Sequence, residues 1–368
     1  MRRIIYIHQQ EDWPNFKWDA EELIPILGKV RNLQGLLTGR MEALGINLRN
    51  EALLETLSQD VLKTSEIEGE ILDKDQVRSS LARRMGMEIA GLVESDRNVD
   101  GVVEMMLDAT QKYDQELTKD RLFGWHASLF PTGWSGMYKI RVGEWREDTG
   151  GPMQVVSGAM GKEKVHFEAP SSDLVNLEME KLIDWVTKDA SEDLVIKSGI
   201  AHLWFLTIHP FEDGNGRIAR AITDLFLSKS EMTKQRFYSL SAQIRIERKE
   251  YYALLEKTQK GNLDVTEWLV WFLNCLHNAL KSSETILEKV LFKYSFWKEN
   301  NEKGINERQQ KVLNKMLDGF TGKLTSSKWA KINKCSKDTA IRDIQDLIEK
   351  NILVKDASGG RSTTYSLK

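Results

Sequence analysis

Between Leu194 and Phe226 the chain passes from a dense apolar run through a polar, glycine-rich break and back to an apolar face. Leu194–Ile208 is apolar at helical spacing, and Ile218, Ile222, Leu225 and Phe226 lie on one face of a second helix. The break reads His209-Pro210-Phe211-Glu212-Asp213-Gly214-Asn215-Gly216-Arg217-Ile218-Ala219-Arg220. Proline cannot continue a helix and Gly-Asn-Gly favours a turn, so the segment reads as helix, tight loop, helix. Such a loop presents the second helix's N-terminus, with its unbonded amides and the positive end of its dipole. An anion is the natural occupant of that place.

Few prolines, six in 368 residues, and much Leu, Glu, Lys, Arg and Ala indicate a mainly α protein. The length exceeds one typical core and implies two or three domains. A formal net charge of -3 gives no support for polyanion binding by the chain as a whole. Cys275 and Cys335 are its only cysteines, which excludes a disulfide framework and a cysteine-based metal site and suits a reducing compartment. The N-terminus has a basic start followed by four apolar residues in a row, too short for a secretory signal. The apolar window Trp268–Leu276 is too short to span a membrane. A cytoplasmic protein without a membrane partner is expected.

Residues 19–62 carry helical periodicity (Leu53, Leu57, Val61) interrupted by Gly35, Gly39 and Gly45. Val99–Leu117, Leu174–Val186, about 247–260 and about 264–292 also read as helices. Tyr138–Pro170 differs: five glycines separate short β-rich pieces such as Gln154-Val155-Val156 and Val165-His166-Phe167, the pattern of a loop or hairpin region. From residue 305 onward, thirteen Lys and Arg face seven Asp and Glu, a basic surplus inside an acidic chain.

The residue types in the central loop have distinct chemical uses. Gly214 and Gly216 allow close backbone approach, and the Asn215 side chain can donate to a phosphate oxygen. Arg217 and Arg220, three apart, share a helix face and can clamp phosphates. Asp213 suits a Mg²⁺ ion bridging phosphates. His209 is the ionisable group whose ordinary pKa suits a base near neutrality. Together they indicate nucleotide-phosphate chemistry.

Position for position, the segment resembles the Fic signature His-Pro-Phe-x-(Asp/Glu)-Gly-Asn-Gly-Arg-x-x-Arg. Fic proteins mostly transfer AMP from ATP to a hydroxyl side chain of a target protein. The resemblance implies His209 as the catalytic base, Asp213 as the Mg²⁺ ligand, and Gly214, Asn215 and Gly216 as the α-phosphate cradle. It implies Arg217 and Arg220 on the β- and γ-phosphates, Phe211 as a core anchor, and pyrophosphate as the leaving group. Residues 150–167 suit the family's β-hairpin flap, which registers a target segment by strand addition. Arg248, Tyr251, Tyr252, Asn262 and Asp264 resemble the part that lines the adenine and ribose pocket. Thr64-Ser65-Glu66-Ile67-Glu68-Gly69 matches the family's inhibitory helix motif. In that resemblance Glu68 pairs with Arg220, takes the place of the γ-phosphate and turns ATP into an unproductive pose.

The C-terminal segment resembles a winged helix-turn-helix. It offers helices at Ile305–Leu317, Ser326–Ile332 and Ser336–Lys350, with Ser336 as the cap of the recognition helix. Two strands, Leu353-Val354 and Thr363–Leu367, flank a wing loop at Asp356–Arg361. The module reads either as DNA-binding or as a protein contact, including a homodimer. Acidic Asp338, Asp343, Asp346 and Glu349 alternate with Lys337 and Arg342 on its third helix. The expected architecture is an N-terminal helical region with the inhibitory helix (1–115), a Fic-type helical core with its flap (116–292) and a winged helix (305–368). The expected activity is protein adenylyltransfer to a target protein, and to the chain itself. The alternatives are a nucleotide-sensing DNA-binding transcriptional regulator and a Fic enzyme with another nucleotide or a de-AMPylating activity. Gly319–Leu324 lacks the spacing and the Ser/Thr of a phosphate-binding P-loop.

Overall fold

Short polar side chains write most of the helix starts, by accepting hydrogen bonds from first-turn amides. In the computed structural model, which describes residues 5–87, 91–158, 162–188, 191–319, 322–356 and 363–368, Asp19 caps α1 (Ala20–Glu42). Gly45, not Gly35 or Gly39, breaks the chain before α2 (Ile46–Ile67). Asp73 caps α3 (Lys74–Arg84), Asp96 caps α4 (Arg97–Gln111) and Thr118 caps α5 (Lys119–Leu129). A minimal hairpin follows, β1 (Trp134–Ser135) with β2 (Tyr138–Lys139). A longer antiparallel hairpin pairs β3 (Gln154–Ser157) with β4 (Lys164–Glu168), its register slipping between Val155 and Val156. Then come α6 (Ser172–Lys188), α7 (Leu194–Ile208) and α8 (Asn215–Glu231). α9 (Leu240–Ile246), α10 (Arg248–Gln259) and α11 (Thr266–Asn300) follow.

The fold is mainly α, and it divides into two compact units: Met1–Met85 with Val93–Glu284, and Gly86–Leu92 with Thr285–Lys368. In the first, α7 is the central helix: all its residues after Leu194 are buried. That explains why its sequence is apolar nearly all round rather than amphipathic. α6 and α8 pack along it. α11 reaches it closely at Gly199, where an added Cβ would lie 2.9 Å from Phe272, and the Trp268 Nε1–H donates to the Gly199 carbonyl at 2.9 Å. The helices expected for 1–115 share this unit with those expected for 116–292 as far as Glu284.

The second unit holds α12 (Glu307–Leu317), α13 (Ser326–Asn333) and α14 (Lys337–Glu349), with an antiparallel pair β5 (Leu353–Lys355) and β6 (Tyr365–Leu367). Trp329, Val312, Leu313, Ile344, Leu347 and Leu353 form its core. Ser336 accepts from the Thr339 amide and so caps α14. Of the expected wing loop, residues 357–361 lie outside the described residues, as do 1–4 at the N-terminus and 159–161 between β3 and β4. Among the described residues no helix is long and apolar enough to cross a membrane.

Candidate active site

α7 ends where Pro210 denies it a further amide, and His209 takes φ +51°, in the left-handed region. A non-glycine residue there is strained and must be held by its surroundings. Arg146, in the loop after β2, holds it. Its Nε donates to the His209 carbonyl at 2.8 Å, its backbone amide to the Pro210 carbonyl at 2.9 Å, and its Nη2 to the Pro170 carbonyl at 2.5 Å. Burial pushes the His209 imidazole down to about 4, against the Leu206 carbonyl, with Arg146 adding to the depression. The ring is therefore neutral at physiological pH. Its Nδ1 lies 3.4 Å from the Leu206 carbonyl and donates there, which leaves Nε2 with a free lone pair.

The loop after His209 is braced from beneath. Phe211 is fully buried and stacks on His126, with ring centroids 4.1 Å apart and planes 8° from parallel. The Gly143 amide donates to His126 Nδ1 at 3.2 Å, so the ring proton sits on Nε2, which donates to the Asp213 carbonyl at 3.2 Å. Burial lowers this histidine also to about 4, the Asp213 carbonyl opposing, and keeps that single tautomer. Gly214 has φ +81°, and a Cβ there would meet Phe130 at 2.9 Å. Both needs select glycine.

Asn215 bonds back onto its own loop. Its Oδ1 accepts from the Phe211 amide at 3.0 Å and its Nδ2 donates to the Phe211 carbonyl at 2.8 Å. An amide nitrogen carries two hydrogens, and the bond to Phe211 uses one of them. The first-turn amides of α8 have no carbonyl four residues back to bond. The Asp213 carboxylate is beside them, accepting from the Gly214 amide at 2.6 Å and from the Ser135 hydroxyl of β1.

Both arginines of α8 point at the end of α2. Arg220, 1% exposed, donates from Nε to the Thr64 hydroxyl at 2.7 Å, and from Nη2 to the Thr64 carbonyl at 2.9 Å and to Glu68 at 2.6 Å. Arg217 donates to Glu70 at 2.7 Å and lies 5.1 Å over the Phe130 ring. Burial works against the Arg220 charge, but Glu68, Tyr251 and Tyr252 together outweigh it and raise the guanidinium pKa. Arg220 Nη1 and Arg217 Nε are buried and find no acceptor among the described residues. Gly216 is where the segment after α2 presses closest: a Cβ there would lie 2.1 Å from the Glu68 carboxylate.

A cavity of about 400 Å³ opens from this loop, lined by Glu68, His209 and Gly216, by Val155, Val156, Ser157, His166 and Phe167 of the hairpin, and by α10. Arg248, Tyr251 and Tyr252 are on its wall, but not as equals. Tyr251 is buried, with its hydroxyl 2.9 Å from His202 Nε2, so it walls the cavity and offers no free face for stacking. Tyr252, 37% exposed, stands at the rim with the Arg248 guanidinium 5.3 Å over its ring. Asn262 and Asp264 do not join them. Asn262 accepts from the Asp264 amide and Asp264 accepts from the Thr266 amide at the start of α11, while the backbone on either side of Asp264 pairs with Lys17, whose amide donates to the Leu263 carbonyl and whose carbonyl accepts from the Val265 amide, each at 2.8 Å. These two residues order a surface turn.

Sequence reasoning passed over Arg146, His126 and Glu70. Arg146 acts across 63 positions and His126 across 87, distances at which no local spacing rule operates. Glu70, two residues past Glu68, was visible as a second acid beside the inhibitory motif.

Residues 116–227 match the family described as Fic/DOC. The chain carries a Fic/DOC-family domain. Residues 6–87, ahead of the Fic domain, match a domain of unknown function, DUF4172. Over 211 residues the chain is 28% identical to a protein adenylyltransferase of Caenorhabditis elegans, covering 57% of this chain and 38% of that protein. Over 265 residues it is 26% identical to protein adenylyltransferase Fic of Drosophila willistoni, covering 68% and 47%. The chain thus spans less than half the length of these relatives. A Fic family protein from Desulfovibrio desulfuricans shares the fold with a TM-score of 0.54 at 19% identity, over 95% of this chain and 97% of that one.

Proposed function

We propose that this chain is a protein adenylyltransferase that moves AMP from ATP to a hydroxyl side chain of a target protein, and that the Glu68 carboxylate restrains it. One arrangement carries the reading. A neutral His209 whose Nδ1 donates to the Leu206 carbonyl lines the same cavity as Gly216 in the first turn of α8, where two buried arginines are paired with the glutamates that follow α2.

In the transfer, His209 Nε2 takes the proton of the target hydroxyl as its oxygen attacks the α-phosphorus, and pyrophosphate leaves. The first-turn amides and the α8 dipole steady the charge gathering on the phosphate oxygens. Arg217 and Arg220 grip the outer phosphates once the glutamates withdraw. Their orphaned Nε and Nη1 donors support this, since buried cationic donors without acceptors call for an anion. Asn215 and Phe211 position the loop, Tyr252 and Arg248 border the base, and Tyr251 backs it. The β3–β4 hairpin, a two-stranded sheet, takes the target segment by strand addition.

Asp213 is our Mg²⁺ ligand. Among the described residues no cluster of three metal-ligating side chains exists. One carboxylate suits a magnesium ion whose other ligands are phosphate oxygens and water, and the ion bound there would neutralise phosphate charge.

Incubation with ATP labelled on the α-phosphate, Mg²⁺ and cell lysate tests the reading. Glu68→Gly should place label on lysate proteins and Glu68→Gly/His209→Ala should not; lysate proteins labelled by the double variant remove the base. A nucleotide-sensing DNA-binding regulator is the second reading, favoured by the three helices and hairpin of the basic C-terminal unit. On α14, however, Asp343 is neutralised by Arg308 and Asp346 by Lys350. That reading requires salt-dependent DNA retention without any protein-bound label. We place the protein in the cytoplasm on its cysteine usage.

A further inference from the structure

Three side chains of the cavity wall form a hydrogen-bonded row that the transfer described above does not use. Ser157 Oγ lies 2.5 Å from His166 Nε2, and His166 Nδ1 lies 2.6 Å from a Glu256 carboxylate oxygen. Ser157 ends β3, His166 stands on β4 where the hairpin register slips, and Glu256 comes from α10. All three line the same cavity as His209. Glu256 is held ionised: burial opposes this, but hydrogen bonds from Lys260 and His166 outweigh burial and leave its carboxyl below the usual range. A carboxylate at Nδ1 keeps the ring proton there and turns the Nε2 lone pair to the serine hydroxyl. Nucleophile, base and orienting acid thus stand in the order that activates a serine.

Two other hydroxyls near the loop are committed elsewhere. Ser135 donates to Asp213, and Tyr251 is sealed against His202. Ser157 is exposed and faces a base.

We propose that Ser157 is an acceptor of the adenylyl group within its own chain, with His166 as its base and Glu256 as the residue that orients His166. The inference rests on the adenylyl-transfer reading above. Ser157 Oγ attacks the α-phosphorus of ATP and forms the new O–P bond. The bond from the α-phosphorus to the oxygen bridging the β-phosphorus breaks, and pyrophosphate departs with that electron pair. The hydroxyl proton passes to His166 Nε2 and from there to water. No further reactant is needed. The product places an adenylyl group on the hairpin that receives the target, so self-modification at Ser157 competes with transfer to other proteins.

The test starts from Glu68→Gly protein incubated with ATP and Mg²⁺, digested, and mapped by tandem mass spectrometry, with lysate proteins assayed in parallel. The adenylyl group is expected on the peptide containing Ser157, forming with a rate constant independent of protein concentration. Adding His166→Gln should slow this labelling about a hundredfold, the scale of a lost general base. Adding Glu256→Gln should lower the rate at saturating ATP while leaving the half-saturating ATP concentration unchanged, which distinguishes orientation of His166 from a clasp that shapes the nucleotide site. Equal self-labelling in Glu68→Gly/Ser157→Ala overturns the acceptor, and undiminished Ser157 labelling with His166→Gln overturns the base. If lysate proteins are labelled but Ser157 is not, this inference fails and the adenylyltransferase reading stands. If nothing is labelled, both fail.

Discussion

Thr64→Val is a narrow probe of the restraint, because it removes one hydroxyl and keeps the shape of a fully buried side chain. The wild-type hydroxyl accepts from Arg220 Nε at 2.7 Å, and the Thr64 carbonyl, which the substitution leaves in place, accepts from Nη2 at 2.9 Å. A hydrogen bond to a charged group contributes about 1.5–3 kcal/mol, and this one is buried on both sides. Arg220 already carries an orphaned Nη1, so a second unsatisfied donor leaves the paired state further disfavoured. If α2 must release Arg220 before ATP binds productively, the released population rises roughly ten- to a hundredfold. The steady rate of AMP transfer at saturating ATP should rise by up to that factor, with the rate of Glu68→Gly as its ceiling. In a Glu68→Gly background the same substitution should add far less, since both changes act on one pairing. A Thr64→Val protein that unfolds at lower temperature yet transfers no faster than wild type would refute the reasoning. Its hydroxyl would then support the fold and not the restraint.

Three further outcomes follow from contacts elsewhere around the loop. Glu70→Gln should free Arg217, 3% exposed at its side chain, and raise ATP affinity several-fold in calorimetry, with Glu68→Gly adding to it. Arg146→Lys cannot donate to the His209 and Pro170 carbonyls together, and should lower the transfer rate about a hundredfold while circular dichroism stays that of a folded protein. Asp60 is raised to about 7 by burial and by neighbouring Asp224, although both approach Arg236. A carboxyl whose folded pKa lies above its unfolded one contributes stability below about pH 4 that is lost as pH rises through 7. Asp60→Asn escapes that loss, so its melting temperature should gain on wild type between pH 5 and pH 8; a constant difference across that range refutes the assignment.

The helical class and the loop between α7 and α8 were legible because both depend on local rules. An apolar run, a proline and two glycines suffice to end one helix and begin another. Glu68 was legible for a different reason, as a short motif whose meaning came from resemblance. What escaped was set by packing at a distance. Asn215 carries the groups to bind phosphate, yet nothing in its neighbourhood says that Phe211 would take its Oδ1 and one of its Nδ2 hydrogens. Tyr251 and Tyr252 are adjacent on α10, and only the neighbours of that helix decide that one is sealed against His202 and the other stands at the rim. Asn262 and Asp264 follow α10 so closely that proximity in sequence suggested proximity to the cavity; the turn into α11 carries them away from it. Arg146 gave no signal, because its function is to satisfy carbonyls 24 and 63 positions away.

The central claim is that His209 catalyses adenylyl transfer and that Glu68, through Arg220, holds it back. Incubation of cell lysate with Mg²⁺ and ATP labelled on the α-phosphate tests both halves on three proteins at once: wild type, Glu68→Gly and Glu68→Gly/His209→Ala. Wild type should place little label on lysate proteins, Glu68→Gly should label them, and the double variant should not. Equal labelling of lysate proteins by wild type and Glu68→Gly, or their labelling in the absence of His209, would contradict the account.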